Sequence, residues 1–216
     1  MGIIPLFPSV IHNLGAPSQF KKNQDDLIRF AYKKRKEDPK GRVISNEGGW
    51  QSYSLSLKEN LLTDFILHTL NDYFTQNKLL HSWIRVTLLN AWVNINNKGH
   101  SNSAHIHGGS TLSGVFYLKV PENSGKIVFQ SPHDYTYHRE RISYTDEVTK
   151  ALYHYHDFWY TPKEGFILLF PSNLLHKVSV NQSRQDRISV SFNLELDDVR
   201  SSEEAEKWIQ ECGERV

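Results

Sequence analysis

Residues 92–118 read WVNINNKGHSNSAHIHGGSTLSGVFYL, and this stretch places two histidines one residue apart between two apolar runs. On an extended strand, residues i and i+2 point to the same side, so His105 and His107 can present two imidazoles toward one point. A metal centre needs a third ligand, and His176 is the best candidate because it follows an apolar strand and a proline turn in GFILLFPSNLLH. Two ligands from one strand and a distant third are typical of non-haem iron sites.

The composition limits the classes of partner. With 216 residues, the chain is long enough for one substantial domain. Its 25 basic and 24 acidic residues give a formal net charge of +1, which predicts no nucleic-acid partner and no attraction to an anionic membrane. The single cysteine, Cys212, excludes an internal disulfide and fits a reducing compartment. No run reaches the roughly 18 apolar residues of a membrane span. We therefore expect a soluble, cytoplasmic protein.

Two patterns predict helices in the first part of the chain. Residues 17–38 carry a sparse apolar stripe between many charges, and residues 58–77 repeat leucine, isoleucine and aromatic residues at helical spacing. Residues 1–12 lack the features of a secretion signal and are interpreted as a first strand. In the loop of residues 38–55, Trp50 follows two glycines and is expected to pack in the core rather than to cover a substrate.

Beyond Leu80, short runs rich in branched and aromatic residues alternate with turn residues, which predicts antiparallel strands. We predict a mainly β fold with flanking helices, in which a double-stranded β-helix (a jelly roll, cupin-like) packs against the N-terminal helices. The expected organisation is a single domain. Residues 1–80 form a strand and supporting helices, residues 81–196 the jelly-roll core, and residues 197–216 a C-terminal helix with Ser201 or Ser202 as its N-cap.

These motifs resemble those of the 2-oxoglutarate and iron(II)-dependent oxygenases, and most closely the uncharacterised oxygenases of that superfamily from bacteria and phages. The superfamily pattern is His-x-Asp or His-x-Glu, a strand with a tyrosine, a distal histidine, and an arginine or lysine about ten residues later. Here it corresponds to His105-x-His107, Tyr117 in GVFYL, His176, and Arg187 in DRISVSF. The stretch SNEGGWQS, residues 45–52, looks like a signature of the smaller group.

The resemblance implies a dioxygenase that couples decarboxylation of 2-oxoglutarate to C–H oxidation, usually hydroxylation, with no catalytic residue beyond the metal ligands. Iron(II) would be held by His105, His107 and His176. Along RISVSF, Arg187, Ser189 and Ser191 share one face, and an inward arginine needs an anion such as the far carboxylate of 2-oxoglutarate. The implied cosubstrate contacts are Arg187, Ser189, Tyr117 and Asn94.

One departure from the pattern bears on the metal. The carboxylate position holds His107, and three neutral imidazoles suit zinc or copper as well as iron(II). Two other classes stay open. A cupin-like metalloenzyme could use the three histidines without 2-oxoglutarate, which leaves Arg187 unexplained. A non-enzymatic jelly-roll module could bind a ligand, which leaves the histidine spacing unexplained. The substrate, a small molecule or a peptide, is not identified by the sequence, and a homodimer is compatible with it.

Other histidines compete for the metal. His138-Arg139-Glu140 is the one His-x-Glu of the chain, but it lies in a polar stretch that we interpret as a loop or lid. His154 and His156 repeat the alternate spacing on a predicted strand, where a partly exposed face is the preferred interpretation. His100 is interpreted as a loop residue or as a donor to a ligand. Residues 108–110 and 133–150 are candidates for the substrate rim.

Overall fold

The computed structural model describes residues 9–58, 61–132, 144–152 and 155–213. Its helices are α1 (Phe20–Glu37), α2 (Leu61–Asn77), α3 (Asp146–Ala151) and α4 (Ser202–Gly213). Its strands are β1 (His12–Leu14), β2 (Asn46–Glu47), β3 (Trp50–Gln51), β4 (Ile84–Asn96), β5 (Ser101–His105), β6 (Leu112–Lys119), β7 (Ile127–Gln130), β8 (Asp157–Tyr160), β9 (Ile167–Pro171), β10 (His176–Val178) and β11 (Arg187–Asp198).

The strands form two antiparallel sheets, which confirms the predicted jelly-roll fold. The larger sheet has the order β1-β9-β6-β11-β4-β3, and the smaller sheet has the order β2-β5-β10-β7-β8. The longest pairing joins β4 to β11, from Ile84 opposite Asp198 to Asn96 opposite Arg187. Because partners in an antiparallel pair point to the same face, this long ladder gives β4 and β11 a shared inner and outer surface.

The outer face of the larger sheet packs against the helices. Alternate residues of β4 and β11 are fully buried there, including Val93, Ile95, Val190 and Phe192, and they share one apolar cluster with Leu27 of α1 and with α2. A second, smaller cluster fills the space between the sheets. Its members are Val115, Tyr117, Ile127, Phe129, Leu168, Phe170 and Leu174. On the inner face of the larger sheet, β4 and β11 carry mainly polar side chains, so the sheet separates the main apolar core from a cavity whose wall on this side bears polar groups.

The two predicted N-terminal helices are confirmed as α1 and α2, and α1 begins three residues later than its pattern does. The C-terminal helix α4 is also present. Ser201 is its N-cap in a capping box, because the backbone N–H of Ser201 donates to Glu204 Oε2 at 3.0 Å and the N–H of Glu204 donates to Ser201 Oγ at 3.4 Å.

Other expectations are met only in part. The predicted first strand, residues 1–12, lies mostly outside the described residues. Within the described chain, β1 begins at His12. Helix α3 occupies part of the segment predicted as a loop or lid. No helix of the described chain is long and apolar enough to cross a membrane.

Candidate metal centre

Three histidines meet in the smaller sheet, at its border with the cavity. His105 ends β5, His107 lies two residues further on, and His176 begins β10 as the direct register partner of His105. The ring centroids are 4.4 Å apart for His105 and His176, 5.1 Å for His105 and His107, and 5.3 Å for His107 and His176. One ring nitrogen of each lies within 4.8 Å of the others. Among the described residues, this is the one cluster of three such side chains that can hold a metal ion.

Backbone carbonyls fix which nitrogen is free to bind a metal. The Nδ1 atom of His105 lies 2.7 Å from the carbonyl oxygen of Ser103, and Nδ1 of His176 lies 2.9 Å from that of Leu174. A carbonyl oxygen only accepts a hydrogen bond, so Nδ1 carries the proton in both rings and Nε2 keeps its lone pair. His107 is fixed through its backbone, because its N–H donates to the carbonyl of Ser172 at 2.8 Å.

Burial keeps two of these imidazoles neutral. His176 is 4% exposed and packs edge-on against Phe170, with ring centroids 4.8 Å apart. Its burial lowers its pKa to about 3, although the hydrogen bond to Leu174 acts in the opposite direction. His107 stacks on Trp92 at 5.6 Å, and burial followed by the charge of His105 lowers its pKa to about 4. Neutral imidazole is the form that binds a metal ion, so both rings are ready to ligate at physiological pH.

The donor set fits a divalent transition metal. It consists of three imidazoles, and no described aspartate or glutamate joins the cluster or lines the adjacent cavity. Nitrogen ligands of this kind suit iron(II), nickel, zinc and copper. The place where the superfamily pattern has a carboxylate is therefore occupied in space, as well as in sequence, by His107.

A cavity of about 340 Å³ opens from the histidines between the two sheets. Its wall on the larger sheet comes from alternate residues of β4 and β11: Asn90, Trp92, Asn94, Arg187, Ser189, Ser191 and Asn193. The prediction that Arg187, Ser189 and Ser191 share one face is confirmed, and that face lines the cavity. The cavity is large enough for a small organic cosubstrate beside a metal ion.

Arg187 is a buried cation without a counter-ion in the described part of the chain. It is 3% exposed, one terminal nitrogen donates to the carbonyl oxygen of Ser124 at 3.1 Å, and its Nε–H has no partner. Burial lowers its pKa, against a smaller opposing effect of Tyr117. An unpaired buried charge costs several kcal/mol, roughly, so this arginine requires an anion. Because it lines the same cavity as the histidines, that anion would lie close to the metal centre.

No described carboxylate of the protein at the strand end pairs with Arg187. The neighbouring Asp186 is engaged elsewhere: it accepts hydrogen bonds from Tyr32 at 3.0 Å and from Asn97 at 2.7 Å, and it forms an ion pair with Arg35 at 3.7 Å. These contacts fasten the start of β11 to α1. They leave the guanidinium of Arg187 facing the cavity.

The other predicted cosubstrate contacts lie in one row across the larger sheet. Ser189 is opposite Tyr117 on β6 and opposite Asn94 on β4, and all three line the cavity. Burial raises the pKa of Tyr117, so its hydroxyl keeps its proton and can donate. Asn94 donates from Nδ2 to Ser191 Oγ at 3.0 Å.

Sequence reasoning missed a fourth member of this row. Gln51 of β3 is the register partner of Asn94, is buried, and lines the cavity. It also missed Trp92, which stacks on His107. The alternation of Asn90, Trp92 and Asn94 along β4 is a period-two signal that indicates a polar inner face. Gln51 gives no such signal, because β3 has only two residues.

The competing histidines do not join the cluster within the described chain. His138, Glu140 and His154 lie outside the described residues. His156 precedes β8 instead of lying within a strand, and its Nδ1 is 3.1 Å from Asp157 Oδ1. His100 is a loop residue, as expected, and its Nδ1 accepts the N–H of Asn97 at 3.0 Å.

The expectation for Trp50 is also confirmed. Its side chain is buried in the main apolar cluster, and its indole N–H donates to the carbonyl of Asp38 at 2.8 Å. It therefore holds the loop before α2 against the core.

A jelly roll whose cavity holds three clustered histidines and a buried, unpaired arginine has the features of a metal-binding protein with a site for an anion. A family profile described as "Putative 2OG-Fe(II) oxygenase" matches residues 90–193, which contain all three histidines and Arg187. Over this span the chain matches the 2-oxoglutarate and iron(II)-dependent oxygenases, a superfamily of enzymes. This superfamily uses iron(II) and 2-oxoglutarate. No curated protein matches the chain by sequence.

Solved structures share the fold at low sequence identity. The viral collagen prolyl hydroxylase of Paramecium Bursaria Chlorella virus-1, in complex with 2-oxoglutarate, aligns with a TM-score of 0.55 and 16% identity over 85% of this chain and 94% of that chain. A prolyl-4-hydroxylase of Pseudomonas putida aligns with a TM-score of 0.57 and 13% identity, over 85% of this chain and 91% of that chain. HygX of Streptomyces hygroscopicus, solved with nickel and 2-oxoglutarate, aligns with a TM-score of 0.53 and 13% identity, over 87% of this chain and 83% of that chain. At these identities the similarity concerns the fold.

Proposed function

We propose that this protein is a 2-oxoglutarate-dependent non-haem iron dioxygenase that hydroxylates a C–H bond of a small-molecule or peptide substrate. The overall reaction consumes the substrate, 2-oxoglutarate and O2, and it yields the hydroxylated product, succinate and CO2. The observation that carries the proposal is Arg187, a buried guanidinium without a described counter-ion, which lines the same cavity as three clustered histidines.

In this proposal, His105, His107 and His176 hold iron(II). When bound with 2-oxoglutarate, the iron supplies the oxidising chemistry that couples decarboxylation to C–H oxidation. The protein supplies orientation and a dry surrounding. The carbonyls of Ser103 and Leu174 fix the rings of His105 and His176. Aromatic rings cover the exposed edges of the cluster, because Trp92 stacks on His107 and Phe129 and Phe170 pack against His176.

Arg187 binds the far carboxylate of 2-oxoglutarate through a charge-assisted pair. Its unpaired Nε–H is one donor for that carboxylate, and the hydroxyls of Tyr117 and Ser189 lie in the adjacent register positions. Three neutral imidazoles bring no negative charge to the centre. Iron(II) and Arg187 together carry three positive charges, so the dianion 2-oxoglutarate is favoured electrostatically.

The test of this proposal is Arg187→Ala. We expect it to weaken 2-oxoglutarate binding about a hundredfold or more, equivalent to roughly 3 kcal/mol, while iron affinity stays nearly unchanged. Arg187→Lys should fall between, because lysine keeps the charge and loses the fork. The measurement is an anaerobic titration with iron(II) and then 2-oxoglutarate, followed through the visible charge-transfer band of the chelate.

Arg85→Ala is a suitable control, because Arg85 is exposed at the far end of β4, where it pairs with Asp197 at 3.1 Å. It should leave 2-oxoglutarate binding unchanged. The proposal is wrong if Arg187→Ala binds 2-oxoglutarate as well as the parent, or if the parent neither binds it nor releases succinate. If the parent neither binds 2-oxoglutarate nor releases succinate, a cupin-like metalloenzyme without 2-oxoglutarate takes its place, supported by the three-histidine donor set.

A further inference from the structure

A loop with exposed apolar side chains forms part of the cavity wall at its mouth. Arg42, Ile44, Ser45, Ser52, Ser54 and Ile106 line the cavity there. Ile44 is 63% exposed and Ile106 is 54% exposed, and Val43 and Tyr53 beside them are also open to solvent. We name residues 41–54 the mouth loop. Of the rim candidates predicted from sequence, residues 108–110 and 144–150 are absent from the cavity lining, and residues 133–143 lie outside the described chain.

The mouth loop is firmly built. The buried side chain of Asn46 accepts the N–H of Ile44 at 2.8 Å and donates to the carbonyls of Arg42 and Gly49. The N–H of Arg42 donates to the carbonyl of Gln51 at 2.8 Å. Gly41 has φ +57°, and a Cβ at this position would overlap Trp50 and the Gln51 carbonyl. A loop braced in this way presents Arg42 and Ile44 in a fixed position, so their exposure is a property of the fold.

The charge of this part of the cavity is positive. The guanidinium of Arg42 lies over the ring of Tyr53, 5.2 Å from its centroid, and no described carboxylate pairs with it. The cavity lining contains no aspartate or glutamate among the described residues. Its only other permanent cation in the described lining is Arg187. A ligand that carries a negative charge is therefore favoured at the mouth.

The histidine in the carboxylate position adds to this charge. With iron(II), Arg187 and dianionic 2-oxoglutarate in place, three positive and two negative charges leave one positive charge. An aspartate at position 107 would make the loaded centre neutral. The substrate of this protein therefore approaches a cavity with a net positive centre and a second cation, Arg42, at its entrance.

We propose that the mouth loop selects an organic anion as the substrate: its carboxylate or phosphate pairs with Arg42, and its apolar body lies against Ile44 and Ile106. This inference rests on the proposed function and specifies its substrate class. It also gives a role to the stretch SNEGGWQS, whose residues Asn46, Trp50 and Gln51 build and anchor the loop. The ionic group and the apolar body are recognised by different side chains, so they can be tested separately.

The experiment uses the 216-residue chain loaded anaerobically with iron(II) and saturating 2-oxoglutarate. Three probes of similar shape are titrated by calorimetry: 3-phenylpropanoate, its neutral amide, and 2-phenylethyl phosphate. We expect the better of the two anions to bind at least about tenfold more tightly than the amide, a difference of roughly 1.4 kcal/mol. If the carboxylate is that anion, the site takes carboxylates, and if the phosphate is, it takes phosphate esters. Both results support the proposal.

Two variants assign the recognition to the loop. Arg42→Gln should reduce the preference for the anion to within about twofold, because it removes the charge and keeps a polar side chain that can still form hydrogen bonds. Ile44→Ser should lower the binding affinities for the anion and for the amide by a similar factor. Arg85→Gln, which changes an exposed arginine remote from the mouth, should leave the preference intact. The bracing hydrogen bonds of Arg42 come from its backbone, so Arg42→Gln is expected to fold.

The affinity for 2-oxoglutarate is measured on every variant. If the parent does not bind 2-oxoglutarate, the proposed function fails. If it binds 2-oxoglutarate but takes the amide as tightly as both anions, or takes none of the probes, the substrate class is wrong. The inference is also overturned if the anion preference survives in Arg42→Gln, or if the anion binds only by displacing 2-oxoglutarate.

Discussion

His107 lies at the position where the superfamily pattern has an aspartate or a glutamate. Its neutral ring stacks on Trp92 and points into the same cluster as His105 and His176. We predict that His107→Asp keeps an iron site and reduces the preference for zinc or copper, because a carboxylate is a harder, charged ligand. Metal content after competition between iron(II) and zinc checks this. His156→Asp, at an exposed histidine outside the cluster, should change neither the iron content nor the preference between iron and zinc. A folded His107→Asp protein without iron would show that the third imidazole is required.

The buried imidazoles also make the metal-free protein sensitive to acid. Histidines of the unfolded chain take up protons near pH 6.5, whereas the pKa of His176 is about 3 and that of His107 about 4 in the folded state. The unfolded state therefore binds more protons below pH 6.5, and acid favours unfolding. The stabilising contribution is complete above pH 6.5 and decreases as the pH falls toward about 3.

We predict that the melting temperature of the chelator-treated protein falls between pH 7 and pH 5, and that it falls less in His176→Gln. The substitution removes the more strongly shifted of the two groups, so the difference between the two pH slopes measures its share. Thermal denaturation followed by circular dichroism checks this. Equal slopes for the parent and His176→Gln would mean that proton uptake by His176 does not oppose folding.

At the level of elements, the turn before β7 contacts the guanidinium of Arg187 and holds it in place. Ser124 accepts the hydrogen bond from Arg187, and Gly125 follows with φ +94°. A Cβ at Gly125 would overlap the carbonyl of Ser179 and lie 3.1 Å from a terminal nitrogen of Arg187. The strand β11 can therefore deliver its arginine only because this turn has a glycine.

We predict that Gly125→Ala lowers the affinity for 2-oxoglutarate about tenfold and destabilises the protein by more than the cost of the backbone angle alone, which is roughly 1 kcal/mol. Gly99→Ala is the matched control, since Gly99 has φ +88° and open space where the Cβ would be. It should cost stability without changing cosubstrate affinity. Equal effects of the two substitutions on 2-oxoglutarate binding would contradict the role of the turn.

Long strands were the elements that the sequence predicted well. The two-residue period of β11 gave the direction of Arg187 and Ser189, because every second side chain of a strand points to the same face. The period gives no information where elements are very short. The strands within the mouth loop, β2 and β3, have two residues each, and Gln51 lies in β3. The six-residue helix α3 is too short to show a helical pattern. Their positions depend on tertiary contacts such as those of Asn46, which no local pattern records.

At the scale of the whole molecule, the larger sheet lies between the main apolar core and the cavity that contains the metal centre. Its outer face and the helices form the main apolar cluster, while its inner face and the smaller sheet hold the cavity and the histidines. Leu27 represents the outer cluster, because it is fully buried in α1. Phe170 represents the inner one, because its ring packs on His176 and on Phe129, the latter at 5.0 Å.

We predict that Leu27→Ala and Phe170→Ala both lower the free energy of unfolding, by about 2–5 kcal/mol each, because each leaves a cavity in a packed core. Their effects on the metal should differ. Leu27→Ala should leave iron affinity unchanged well below its melting temperature, whereas Phe170→Ala should weaken it, since the ring of His176 loses the neighbour that orients it. Urea denaturation and iron titration of the same preparations check both expectations. If folded Leu27→Ala loses iron affinity as strongly as Phe170→Ala, the helix layer and the metal centre are coupled through the sheet rather than separated by it.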